Sequence, residues 1–100
     1  MTSAEGRRPE LDEGPRLPPH DLQAEEAVLG CLLLDGEVMY RLCGVLQPDD
    51  FFREQNRWLY QAALGVFSRN QAVDQVTVAH ELARTGKLED AGGPAYLLHL

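Results

Sequence analysis

Residues 18–35, PPHDLQAEEAVLGCLLLD, decide how the rest of the chain has to be arranged. Pro18-Pro19 favours an extended approach, because a residue before proline is pushed out of the helical region. Asp21 then stands where a helix N-cap is wanted, its carboxylate able to accept backbone N–H groups that no helical carbonyl reaches. From Leu22 onward, Leu22, Val28, Leu29, Leu32 and Leu33 fall on one broad helical face, with Gln23, Glu26 and Gly30 on the other. The last turn, Cys31-Leu32-Leu33-Leu34, has no polar side, so neighbours are expected to cover it on every face. Asp35-Gly36 should end the helix, the glycine supplying left-handed geometry. One residue breaks the pattern. Glu25 falls inside the apolar face, between Val28, Leu29 and Leu32, and a carboxylate there needs a partner. A structural ion pair with Arg57, or else Arg53, is the expectation.

The 100 residues suffice for one small domain, and 44% hydrophobic with 25% charged residues is ordinary for a globular one. No apolar run is long enough to span a bilayer, and no charged-apolar-small leader opens the sequence. Cys31 and Cys43 both lie in apolar helical surroundings, which reads as reduced core thiols in a cytoplasmic protein. Nearly all of the net charge of −7 falls after residue 17. An acidic domain repels phosphate chains, so strong direct binding to nucleic acid is not expected.

Met1 to Leu17 carries proline, glycine and charges of both signs, with too little apolar surface to offset the entropy of ordering; it reads as a disordered tail before a domain over 18–100. In Glu37 to Leu46, residues Val38, Leu42, Val45 and Leu46 recur at helical spacing. Pro48-Asp49-Asp50-Phe51-Phe52 is a helical turn opened by proline and two acids, its phenylalanine pair a plug for the core. Arg53 to Asn70 reads as the longest helix, with Leu59, Ala62, Ala63, Val66 and Phe67 as its stripe and Trp58, Tyr60 and Leu64 flanking it. Asp74 and Thr77 place two short polar side chains at the start of the next helix. Its expected stripe is Val76, Ala79, Leu82 and Ala83, and Thr85-Gly86-Lys87 is its stop. Gly92-Gly93-Pro94 turns the chain into a last helix that has no stop signal before Leu100, so the sequence looks cut there. No segment alternates as a strand. The fold class is all-α: five to six short helices packed at mixed angles.

Candidate chemistry is scarce. His20, His80 and His99 lack partners at metal-ligand spacing, and the cysteines are too far apart in sequence for a zinc pair, so no metal site is expected. Gly92-Gly93 has neither a preceding strand nor a following Lys-Ser/Thr, which leaves no phosphate loop and no cofactor site. No serine or cysteine has an activating base, so no catalytic residue is assigned. The acid pairs Glu25-Glu26, Asp49-Asp50 and Glu89-Asp90 fit capping or solvated roles. A helix-turn-helix DNA reader would gather basic and amide side chains at one helix start; the best candidate, Gln55-Asn56-Arg57, follows two aspartates that would face the phosphates.

The order of words is more informative than any single residue. PPHDLQAEEAVLGCLLLD, then PDDFF, NRWLY, VDQVTV and LARTGKLEDAGGPAYL resemble the N-terminal domain of the bacterial replicative DNA helicase, the DnaB family, over Leu17 to Leu100. Asp21, where that family often has serine, and Cys31, where it has a small residue, are minor departures. The resemblance implies a non-catalytic collar on a hexameric ATPase ring, paired into a trimer of dimers, that docks primase, with a helicase loader as a further partner. It also implies that ATP and Mg²⁺ belong to a separate C-terminal domain, and that the pairing hairpin would follow Leu100. A stand-alone helical DNA- or regulator-binding module is the alternative.

Within that reading the last helix carries the candidate surface. Leu97 and Leu100 can face the core, Leu98 points nearly the opposite way and Tyr96 lies at the edge. Tyr96 with Leu98 is therefore expected to form part of the partner-docking surface, the alternative being that Tyr96 seals the domain's own core.

Overall fold

Asp21 caps the first helix as expected, its Oδ1 accepting the amide of Ala24 at 3.0 Å, and α1 runs over Leu22–Leu34. The computed structural model describes residues 21–100; the expected tail over 1–17 and the Pro18-Pro19 entry lie outside the described residues. A 3₁₀ turn at Gly36–Val38 leads into α2 (Met39–Leu42), and a second at Pro48–Asp50 leads into α3 (Glu54–Ser68). Helices α4 (Gln75–Arg84) and α5 (Gly93–His99) follow, and there is no strand among the described residues. The all-α reading holds.

The centre is formed by α3, which packs on α1, on α4 and on the 3₁₀ turn before it. Leu59, Ala63 and Val66 are wholly buried, and the two alanines Ala62 and Ala63 let neighbours approach closely. Leu29 and Leu32 of α1, Met39 of α2, Phe51, and Val78 and Leu82 of α4 complete the core. Tyr60, read as a flanking residue, is completely buried. Its hydroxyl lies 3.2 and 2.7 Å from the carbonyls of Leu42 and Leu46, closing the end of α2, and burial pushes the phenol up to about 12.

The cap chemistry follows the sequence closely at α4. Asp74 Oδ1 accepts the Thr77 amide at 2.9 Å while Thr77 Oγ1 accepts the Asp74 amide at 3.0 Å, a reciprocal capping box. At the other end the Lys87 amide reaches the Leu82 carbonyl at 2.8 Å and the Gly86 amide reaches Ala83 at 3.2 Å, with Gly86 at φ 76°, a Schellman stop.

Five readings are corrected. The end of α1 is not enclosed: Leu34 is 91% exposed and Cys31 is also exposed, because neighbours reach only the Leu32–Leu33 side of this last turn. Cys31 is thus no core thiol, and Cys43 is only half-buried. Gly36 does not adopt left-handed geometry; Asp35 instead caps the following turn through the Glu37 amide at 3.1 Å. What Gly36 supplies is room, since a Cβ there would sit 2.6 Å from the Val73 carbonyl oxygen. The phenylalanine pair divides, Phe51 buried and Phe52 about half exposed. Finally the buried side of α4 is Val78, Glu81 and Leu82, with Ala79 partly buried and Val76 and Ala83 outside, a rotation away from the expected stripe.

Candidate functional site

Glu25 is 1% exposed, as its position within the apolar face of α1 requires. Its partners are not the expected cations. One carboxylate oxygen accepts the Phe52 amide at 2.6 Å; the other accepts Asn56 Nδ2 at 2.7 Å and the Arg53 amide at 3.4 Å. Arg57 turns away, its Nε and Nη2 donating to the carbonyls of Phe51 and Phe52 at 2.8 and 3.0 Å. The Arg53 guanidinium reaches Gln55 Oε1 at 3.3 Å instead. So the Glu25–Arg57 ion pair is replaced by a carboxylate on neutral dipoles. The reason is local: the chain leaves the Pro48–Asp50 turn and enters α3 without a side-chain cap, and the amides of residues 52 and 53 point at α1. Glu25 holds this entry from another helix by accepting the two amides just ahead of α3, while Arg57 collects the carbonyls of residues 51 and 52. Hydrogen bonds to a charged group contribute about 1.5–3 kcal/mol each, which offsets the desolvation of the carboxylate.

The network continues into α5. Asn56, completely buried, accepts the Tyr96 hydroxyl on its Oδ1 while donating to Glu25 through Nδ2. Burial raises the Tyr96 phenol above its ordinary value. Glycine at 92 permits this approach: at φ 98° it is in the left-handed region, and a Cβ would lie 2.7 Å from that of Tyr96 and 2.8 Å from Gln55 Nε2. Asn56 enters the sequence reading only within the polar run Gln55-Asn56-Arg57, although it precedes Leu59, Tyr60 and Ala63 by three, four and seven residues and so shares their buried face.

On α5 the expected division of faces is found. Leu97 is buried, Leu100 is partly buried over Gly30 of α1, and Leu98 is 74% exposed. Tyr96 is half-buried, packed against the core, with its hydroxyl engaged, as the core-sealing alternative expects, and Leu98 is the residue that faces outward. His99 stacks on the Tyr96 ring with centroids 6.1 Å apart, and its Nε2 lies 3.2 Å from Glu26 Oε1. Gln75 of α4 donates to the Leu97 carbonyl at 3.1 Å and fixes the helix from its other side.

A second buried carboxylate is solved differently. Glu81 on α4 receives Arg69 Nη2 at 2.6 Å and Arg84 Nη2 and Nε at 2.8 and 3.2 Å. Hydrogen bonds from Arg84 and then Arg69 pull its carboxyl down to about 2 against the opposing effect of burial. Among the described residues, no group of three or more His, Cys, Asp or Glu side chains is placed to hold a metal ion. Nor is any described helix long and apolar enough to cross a membrane.

These features define an all-α domain in which buried polar side chains act as fasteners between helices and an apolar edge is left outward on α5. The model of the DnaB-like helicase N-terminal domain matches residues 17–100, and the chain belongs to that family. It is 45% identical over 82 residues to the replicative DNA helicase DnaC of Bacillus subtilis, and 41% identical over 85 residues to the replicative DNA helicase DnaB of Geobacillus stearothermophilus. Those matches cover 82% and 85% of this chain but 18% and 19% of the relatives, so the chain spans about a fifth of the length of the curated relatives it matches. The crystal structure of the N-terminal domain of DnaB helicase from Mycobacterium tuberculosis superposes with a TM-score of 0.77 at 41% identity, covering 83% of this chain and 59% of that one.

Proposed function

We propose that this domain is the non-catalytic collar of a hexameric, ATP-dependent replicative DNA helicase, where it supports ring assembly and docks primase at the replication fork. In this reading ATP and Mg²⁺ are held by another part of the same protein, other helicase subunits are its permanent neighbours, and a helicase loader is a transient one. The setting is the cytoplasm. Family membership supports the collar role. The observation that carries the docking role is the contrast along α5: Tyr96 and Leu97 are fixed to the interior while Leu98, between Leu97 and His99, is held outward on the same rigid turn. A preorganised apolar side chain with a polar rim is what a partner interface uses as an anchor.

Titrating the C-terminal domain of the cognate primase into the intact helicase tests this. Leu98→Glu should weaken primase binding by about tenfold or more with little change in melting temperature, because it removes an anchor and introduces a charge into the interface. Unchanged primase affinity would move the docking surface off α5.

A further inference from the structure

The acidic domain carries a local basic groove. Two depressions, of about 770 and about 270 Å³, flank Glu81 on the outer side of α3 and α4. Arg69, Arg84 and Lys87 line them, half of all Lys and Arg residues of 21–100, and Glu81 is the one acid on either lining. His80 is on the rim of the larger depression, and Trp58 forms a wall of the smaller one with Lys87 Nζ 4.2 Å from its ring centroid.

The basic side chains are organised rather than loose. Glu81 is nearly buried and stays ionised, so it fixes both guanidinium groups from below. Arg69 and Arg84 remain 44% and 65% exposed and keep a net positive field above it. Gly65 gives the carboxylate room: a Cβ there would lie 3.1 Å from Glu81 Oε2, close enough to push it aside by a few tenths of an ångström. Lys87 is held over Trp58 by cation–π attraction, which leaves its charge at the groove's end beside an apolar wall.

We propose that this groove between α3 and α4 docks an acidic segment of a protein partner, with carboxylates on Arg69, Arg84 and Lys87 and an apolar side chain against Trp58. The charge pattern selects this occupant. A long nucleic acid would have to pass over a surface whose total charge is −7, whereas a short acidic segment meets only the field within about 10 Å at moderate salt. Trp58 adds the buried aromatic contact that gives such an electrostatic encounter a lifetime. These residues are distinct from Tyr96 and Leu98, so the groove stands whether or not primase uses α5.

The test is a titration of the full 100-residue chain with a fluorescein-labelled peptide of alternating Glu and Leu, followed by anisotropy and by amide and indole NMR shifts. The Trp58 indole and the amides of Arg69, His80 and Arg84 should shift most. Affinity should fall about tenfold between about 0.05 and about 0.5 M NaCl. Lys87→Glu leaves the Arg69–Glu81–Arg84 cluster intact and should weaken binding at least about fivefold; Arg84→Glu should weaken it further. Shifts concentrated on α5, undiminished binding by both variants, or tighter binding of a single-stranded oligonucleotide than of the peptide would each overturn the proposal.

Discussion

Two glutamates are buried in this domain, and they are held in opposite ways. Glu25, at the junction of α1, α3 and α5, is surrounded by neutral donors: two backbone amides and the Asn56 side chain. Glu81, at the junction of α3 and α4, is held by two guanidinium groups that reach out to solvent. The first is wholly enclosed and the second lies just below the surface. Enclosure makes the difference. A guanidinium brought into the Glu25 site would itself need desolvating, whereas fixed amide dipoles are already there and would be orphaned without the carboxylate. Near the surface a cation stays hydrated on its outer side, so pairing costs less and stabilises less.

The comparison can be broken at its strong end first. Glu25→Ala should lower stability by about 3–4 kcal/mol, since it strands the Phe52 amide and the Asn56 side chain together. Chemical denaturation would measure this, and a loss below about 1 kcal/mol would mean that water or a rotated arginine replaces the carboxylate. Next, Tyr96→Phe should cost about 1 kcal/mol by leaving Asn56 Oδ1 without its donor. A double-mutant cycle with Asn56→Ala checks that the cost runs through this contact, with coupling near zero arguing against it.

The weakest expected effect is at Glu81, where Glu81→Gln should cost about 0.5 kcal/mol at neutral pH and less at high salt. Its carboxyl is ordinary, near 4.5, in the unfolded chain and is held at about 2 in the folded domain. The folded state therefore binds this proton less readily, and the stabilisation is complete above pH 4.5 and fades as the pH falls toward 2. Thermal melts of the wild type and Glu81→Gln should converge over that interval. A gap that stays constant through it would assign the acid sensitivity to other carboxylates.

The sequence carried the location of Glu25 but not its company. Its azimuth among Val28, Leu29 and Leu32 is a property of helix geometry and could be counted. Its partners come from the backbone of residues 52 and 53, which no side-chain pattern displays, so the nearest arginine was the natural and mistaken expectation. Asn56 was readable from its spacing to Leu59, Tyr60 and Ala63, yet its polar neighbours Gln55 and Arg57 concealed it. The capping box of Asp74 and Thr77 was legible because every atom it needs lies within four residues. The failures at Leu34, Cys31 and Val76 share a cause: apolar identity states that burial is favourable, not that a neighbour is present. The division of α5 into Leu97 and Leu98 faces survived because a single glycine turn and one rotation fix it.

The chain of contacts from Glu25 through Asn56 to Tyr96 also sets a timetable. As a chain leaves the ribosome N-terminus first, α1 emerges with a carboxylate that has no acceptable burial until residues 52–56 arrive. Asn56 in turn has an unfilled acceptor until Tyr96 appears, 40 residues later. Each earlier helix therefore waits for a later one, and the nascent domain gains little by closing early. The junction of α1, α3 and α5 is therefore expected to close in one late step, once α5 has been delivered.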